Sequence, residues 1–245
     1  MQKSFSAILL AAGQGTRLRP YTLSTPKCLV PINGVPLLDI WIDQLISCHG
    51  LTEILINTSF LADTVQNHIA QHRNKDKIKI FYEPKLLGTA GTIKLLSNYT
   101  KEQNIFIAHA DNLTKFNIND FFSFHLNRPN QCQITMMTFD PEDSKSCGIV
   151  GLNQERIVTS YDEKPLVDMK GEANAAVYFF DKSCFNEINK MDSVFDLSRD
   201  VLPFFIGKIV AWKNSIYHRD IGTPDSYQKG QREFSNLMNK NFGTK

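Results

Sequence analysis

Directly behind a short apolar run near its N-terminus, the chain carries Leu10-Ala11-Ala12-Gly13-Gln14-Gly15-Thr16-Arg17. Glycines at 13 and 15 free backbone N–H groups to converge on phosphate oxygens, as happens where a strand hands over to a turn. Arg17 and, further on, Lys27 add a planar guanidinium fork and a compact ammonium, two complementary ways of meeting an anion. Neither of the two commonest nucleotide motifs is present. A dinucleotide fingerprint needs a third glycine where Leu18 stands, and a Walker loop needs Gly-Lys-Ser or Gly-Lys-Thr, which the chain lacks. Carboxylates that could neutralise a cation stand at Asp111, at the end of an apolar run, and at Asp220, beside Ile221-Gly222. Taken singly each reads as a turn or cap residue. With the loop, they read as parts of one site. His68 and His72 share an i, i+4 spacing without the glutamate of a metalloprotease helix, so a solvated helix face is expected there.

The elements that must position these residues alternate. Strands are expected at Ser6–Ala11, Glu53–Asn57, Ile78–Tyr82 and Asn104–Ala108, with helices at Pro36–Cys48, Asp63–Gln71, Thr89–Ser97 and Asn119–Leu126 between and after them. That rhythm predicts an α/β fold: a Rossmann-like, mostly parallel sheet with helices on both faces. After Pro129 the pattern shifts to strands at Gln133–Phe139, Ile149–Leu152, Arg156–Tyr161 and Ala173–Phe180, an antiparallel extension expected to wall the site. Two helical patches, Cys184–Lys190 and Leu197–Phe205, a strand at Ile209–Trp212 and a helix from Pro224 close the chain. A single domain over residues 1–245 is expected, in two parts, 1–128 and 129–245.

Composition excludes several classes. Of 245 residues, 27 are Lys or Arg and 25 Asp or Glu, for a formal net charge of +2, so no basic footprint for nucleic acid exists. The five cysteines form no CxxC pair and suit reduced thiols in a cytoplasmic protein. The apolar run ahead of Gly13 is too short for a signal sequence, and no stretch approaches a membrane span.

The run Leu10 to Thr22, then Thr25-Pro26-Lys27 and Pro31, resembles the signature of the sugar-1-phosphate nucleotidylyltransferases, closest to the mannose-1-phosphate guanylyltransferases. Further landmarks follow in the same order along nearly the whole chain: Gly88-Thr89-Ala90-Gly91, Asp111, Gly148, Glu163-Lys164-Pro165, Asn174 and Asp220-Ile221-Gly222-Thr223-Pro224. The chain departs from the pattern at Ala176, commonly glycine, and at His109-Ala110. The resemblance implies transfer of a nucleotidyl group from a nucleoside triphosphate to a sugar 1-phosphate, mannose-like or heptose-like, with release of pyrophosphate. It makes Asp111 and Asp220 the Mg²⁺ ligands and Lys164 the holder of the sugar phosphate, with Gly148, Glu163, Asn174 and Asp111 around it. It makes 1–128 the nucleotide-binding part and 129–245 the sugar-phosphate-binding part, and implies Leu10, Ala12, Gly13, Gly15, Thr16, Arg17, Lys27, Glu83, Gly88 and Thr89 for the nucleotide.

The chemistry suits this set. A phosphate monoester, with a second pKa of about 6, needs no general base near neutral pH; the obstacle is bringing two polyanions together, which positioned cations remove. Arg17 fits the departing β and γ phosphates and Lys27 the α-phosphate. Magnesium takes one or two carboxylates beside phosphate oxygens and water, so a pair suffices. Glu83 is expected to accept from the N1–H and amino group of guanine, which favours GTP over a pyrimidine that turns a carbonyl toward it. UTP or dTTP use, or a non-catalytic nucleotide-sugar-binding subunit, are the alternatives. Homo-oligomerisation stays open.

Overall fold

The computed structural model describes residues 3–242. In chain order its strands and helices are β1 (Phe5–Leu10), β2 (Pro31–Ile32), β3 (Val35–Pro36), α1 (Leu37–Ile46), β4 (Leu51–Thr58), α2 (Ala62–Ala70), β5 (Ile78–Tyr82), α3 (Gly88–Leu96), β6 (Asn104–His109) and β7 (Asn112–Lys115). They continue with α4 (Ile118–Leu126), β8 (Ile134–Phe139), β9 (Gly148–Leu152), β10 (Val158–Glu163), β11 (Glu172–Asp181), α5 (Cys184–Ile188), β12 (Ile209–Lys213), β13 (Tyr217–Asp220) and α6 (Pro224–Phe242).

The strand order β6-β1-β4-β5 is parallel throughout, as expected of apolar runs joined by helices. Alternation along β1 splits its side chains between two cores. Phe5, Ala7 and Leu9 face Trp41 of α1 and Phe121 of α4, whereas Ile8 and Leu10 face Ile93 of α3 and the buried Leu197, Val201, Leu202 and Phe205. Helices therefore cover both faces. The sheet does not stop at β6: β11 pairs antiparallel with β6 on one side and with β8 and β9 on the other, and β12 joins β8 in parallel. The two expected parts thus share one mixed sheet, with the expected antiparallel extension continuing from β6.

Three local differences from the sequence reading have physical causes. Pro36 pairs with Pro31 in the β2–β3 hairpin, so α1 starts one residue later. Leu197–Phe205 is a wide turn of helix followed by a 3₁₀ turn rather than one α-helix, because Pro203 supplies no N–H. His68 and His72 do not form a solvated face: both rings approach Asp39 of α1, at 2.6 and 3.9 Å, and the His72 side chain is 8% exposed. Among the described residues no helix is long and apolar enough to cross a membrane, and no cluster of three or more acidic, histidine or cysteine side chains is arranged for a metal.

Candidate active site

The Gly13–Arg17 loop leaves the carboxyl end of β1 on fixed supports. Gly15 adopts φ +61°, and a Cβ there would come within 2.9 Å of the Lys27 Cβ, so both conformation and space demand glycine. The Thr22 hydroxyl donates to the Gly15 carbonyl at 2.7 Å, and fully buried Leu18 pins the following turn. At the loop's root the Ala11 N–H donates to Asn57 Oδ1 (2.8 Å), and Asn57 Nδ2 donates to Glu83 Oε1 (3.0 Å). The Thr92 hydroxyl donates to the same Glu83 oxygen (2.6 Å), and the Leu87 N–H to the other (3.2 Å).

This arrangement corrects the reading of Glu83. Its side chain does not present itself to a base: the residue is 4% exposed and both carboxylate oxygens are engaged by internal donors. Glu83 instead ties the ends of β1, β4 and β5 to α3 and holds the exposed Pro84–Leu87 loop. Gly88 and Thr89 are likewise structural anchors here. Gly88 lies at φ +75° against the Phe195 carbonyl, and the Thr89 hydroxyl accepts from the Leu197 N–H at 2.7 Å.

The two aspartates meet through a two-stranded ribbon. β7 follows Asp111 and pairs antiparallel with β13, setting Asp220 opposite Asn112. Lys27 lies between the carboxylates, its Nζ 3.0 Å from Asp111 Oδ2 and 3.5 Å from Asp220 Oδ1, with a side chain only 6% exposed. Arg17 Nη2 stands 3.6 Å from Asp220 Oδ2 on the open side. Burial opposes ionisation of Asp111, but the Lys27 and His109 charges and the Lys27 hydrogen bond outweigh it and hold the carboxyl below its ordinary range. On the ribbon, burial pushes His218 down to about 4, so a neutral imidazole stands two residues from Asp220. Two carboxylates converging on one cationic centre form a hard oxygen donor set that fits a magnesium ion.

Across a cleft of about 920 Å³, the antiparallel extension supplies the other wall: Gly148, Glu163, Lys164, Asn174 and Ala176. Tyr161 donates to Glu163 Oε2 at 2.5 Å, and Asn174 Nδ2 donates to the Tyr178 hydroxyl at 2.8 Å. Burial, then the neighbouring Tyr178 and Glu163, push the Tyr161 hydroxyl up, which keeps it a donor. Among the described residues no protein donor reaches the second Glu163 oxygen. Ala176 sits at φ +55° in a break of register between Asn174 and Tyr178, and its N–H donates to Asn174 Oδ1 at 3.0 Å.

One cleft therefore brings together Arg17, Lys27, Asp111, Gly148, Glu163, Lys164, Asn174 and Asp220. Leu10 ends β1, Ala12, Gly13, Gly15 and Thr16 form the loop leading into Arg17, and none of them lines the cleft; Glu83, Gly88 and Thr89 stand behind them. Sequence reasoning missed Asn57, Tyr161 and His218. Asn57 had a signal, a polar residue directly after the apolar run Ile54–Ile56; the other two had none.

A family model described as "Nucleotidyl transferase" matches residues 6–236. The chain is 29% identical to a putative mannose-1-phosphate guanyltransferase of Sulfolobus acidocaldarius, over 95% of this chain and 64% of the relative. It is 26% identical to the D-glycero-α-D-manno-heptose 1-phosphate guanylyltransferase of Aneurinibacillus thermoaerophilus, over 95% of this chain and 99% of that one. Among solved structures, HddC from Yersinia pseudotuberculosis complexed with GMP-PN superposes with a TM-score of 0.77 at 25% identity, covering 94% of this chain and 99% of HddC.

Proposed function

The chain belongs to the nucleotidyl transferase family, and from that premise we propose that it transfers a nucleotidyl group from a nucleoside triphosphate to a sugar 1-phosphate. The observation that carries this reading is the single cleft in which Arg17, Lys27, Asp111 and Asp220 face Glu163, Lys164 and Asn174. A sugar-phosphate oxygen attacks the α-phosphorus, the bond to the β-phosphate oxygen breaks, and pyrophosphate leaves. Lys164 holds the incoming phosphate, Arg17 receives charge on the departing one, and Lys27 lies close enough to the loop to serve the α-phosphate. Asp111 and Asp220 would hold a magnesium ion, which when bound supplies neutralisation of the phosphate charge. The unoccupied oxygen of Glu163 and the Asn174 amide are the groups placed to hydrogen-bond sugar hydroxyls.

GTP is the proposed donor. Support comes from the guanylyltransferase names of the two relatives and from the nucleotide in the HddC structure, no longer from Glu83. With Glu83 saturated by internal donors, UTP or dTTP remains the second reading. Mannose 1-phosphate and heptose 1-phosphate are the first acceptors to test. Pyrophosphate release over a matrix of GTP, UTP, dTTP, CTP and ATP against several sugar 1-phosphates checks all three levels. Product with GTP and a manno-configured acceptor is expected. A higher kcat/KM with UTP or dTTP would replace the donor, and stabilisation by nucleotide sugar without any product would indicate a binding subunit.

A further inference from the structure

Lys27 is built differently from the other cations of the cleft. The Arg17 side chain is 69% exposed and Lys164 is exposed, whereas the Lys27 side chain is 6% exposed, and among the described residues its Nζ alone bridges both aspartates. Its stem packs under the phosphate loop, where the Gly15 position lies against the Lys27 Cβ. Pro26 and the short helical turn Lys27–Leu29, with Cys28 buried, fix the backbone. Only the flexible four-carbon stem is left to move.

An ammonium 3.0 and 3.5 Å from two carboxylates satisfies the electrostatic demand that a divalent cation would satisfy there. With Lys27 and Arg17 in place, the two aspartates and two cations sum to no net charge, which gives a free cation little reason to enter. We propose that Lys27 is a place-holding cation: in the ligand-free protein its ammonium occupies the space between Asp111 and Asp220, and a triphosphate on the loop above its stem draws it away and frees the carboxylates. Cation and triphosphate then bind with positive coupling, because each favours the same displaced Lys27. This rests on the reading of Asp111 and Asp220 as the cation-binding pair.

The experiment is Mn²⁺ binding to nucleotide-free protein, followed by the electron paramagnetic resonance signal of free Mn²⁺. Lys27→Gln removes the competing charge and is expected to bind Mn²⁺ at least about tenfold more tightly than the parent, with a larger Mn²⁺-induced rise in Tm. Lys27→Arg keeps the charge and is expected to bind as weakly as the parent. Equal or weaker Mn²⁺ binding by Lys27→Gln overturns the place-holder, as does an equal gain in Lys27→Arg. The double variant Lys27→Gln/Asp111→Asn is expected to lose the gain; if it keeps it, the carboxylate pair is not the cation site and the underlying reading fails instead. Should Lys27→Gln not fold without metal, refolding with and without Mn²⁺ gives the same answer: recovery by Mn²⁺ is expected, and no recovery overturns the proposal.

Discussion

Glu83 and Glu163 each close a strand at the rim of the sheet, one in the parallel half and one in the antiparallel half, and their surroundings are opposite. Glu83 is buried and takes three internal hydrogen bonds, from Asn57, Thr92 and Leu87. Glu163 is half-buried on the cleft and takes one, from Tyr161. A saturated carboxylate makes structure; a carboxylate with an unused oxygen is available to a ligand. The contrast extends to the two halves. Around Glu83, side chains brace the loops behind the cleft, while around Glu163 the side chains themselves line it.

The place where the halves meet gives the largest expected effect. Asp111 and Asp220 belong to neither wall alone, since the β7–β13 ribbon joins them. Asp111→Asn or Asp220→Asn is expected to lower kcat at least about a hundredfold with the fold retained, the scale of one preorganised electrostatic element. Near-parental turnover in both variants would end the assignment and leave the two walls without a shared centre.

The contrast between the glutamates gives the next, smaller effect. In Glu83→Gln the new amide sets a donor against an existing donor, Leu87 N–H or the Asn57 and Thr92 pair. A stability loss of about 1–3 kcal/mol is expected, with the ranking of triphosphates unchanged. Glu163→Gln removes no buried partner, so stability should change by less than about 1 kcal/mol, while KM for the sugar phosphate rises and KM for the triphosphate does not. Denaturant unfolding and steady-state kinetics on the pair read both effects. A donor switch in Glu83→Gln, or a large stability loss in Glu163→Gln, would collapse the distinction.

That distinction also marks the limit of what the sequence discloses. The apolar periodicity places the parallel strands and covering helices to within a residue or two, and the loop with Arg17 and Lys27 is legible because its chemistry is local. The β7–β13 ribbon is not. Asn112–Lys115 and Tyr217–Asp220 are four residues each, and their pairing joins segments far apart in the chain. Glu83 is misread for a related reason: whether a strand-end carboxylate faces water or a neighbouring amide depends on Asn57 and Thr92, residues of other elements. Hydrogen-bond saturation is a tertiary property that spacing along one strand does not encode.

The smallest expected effect lies in the sugar-side wall itself. Ala176 holds φ +55°, a left-handed conformation that costs an L-residue with a Cβ roughly 1–2 kcal/mol relative to glycine. Lys164, also on the cleft, holds φ +52°, so among the described residues two of the six non-glycine positions with positive φ line this one cavity. Strain of this kind persists where the surrounding structure enforces it, and it gathers at sites that bind. At Ala176 the enforcement is visible: the register breaks between Asn174 and Tyr178, and the Ala176 N–H is held by Asn174 Oδ1. Ala176→Gly relieves the strain but enlarges the unfolded ensemble, an opposing effect of about 0.4–1 kcal/mol. The balance is a gain between about 0 and 1.5 kcal/mol, each kcal/mol of which raises Tm by roughly 2–4 °C for a chain of this size. The same substitution removes a methyl group from the wall beside Asn174, so the range of sugar 1-phosphates accepted should widen while KM for the triphosphate holds. A fall in Tm would show that the bulge is not strained. A higher Tm with an unchanged acceptor range would show that the methyl touches no sugar and that Asn174 and Glu163 read the hydroxyls without it.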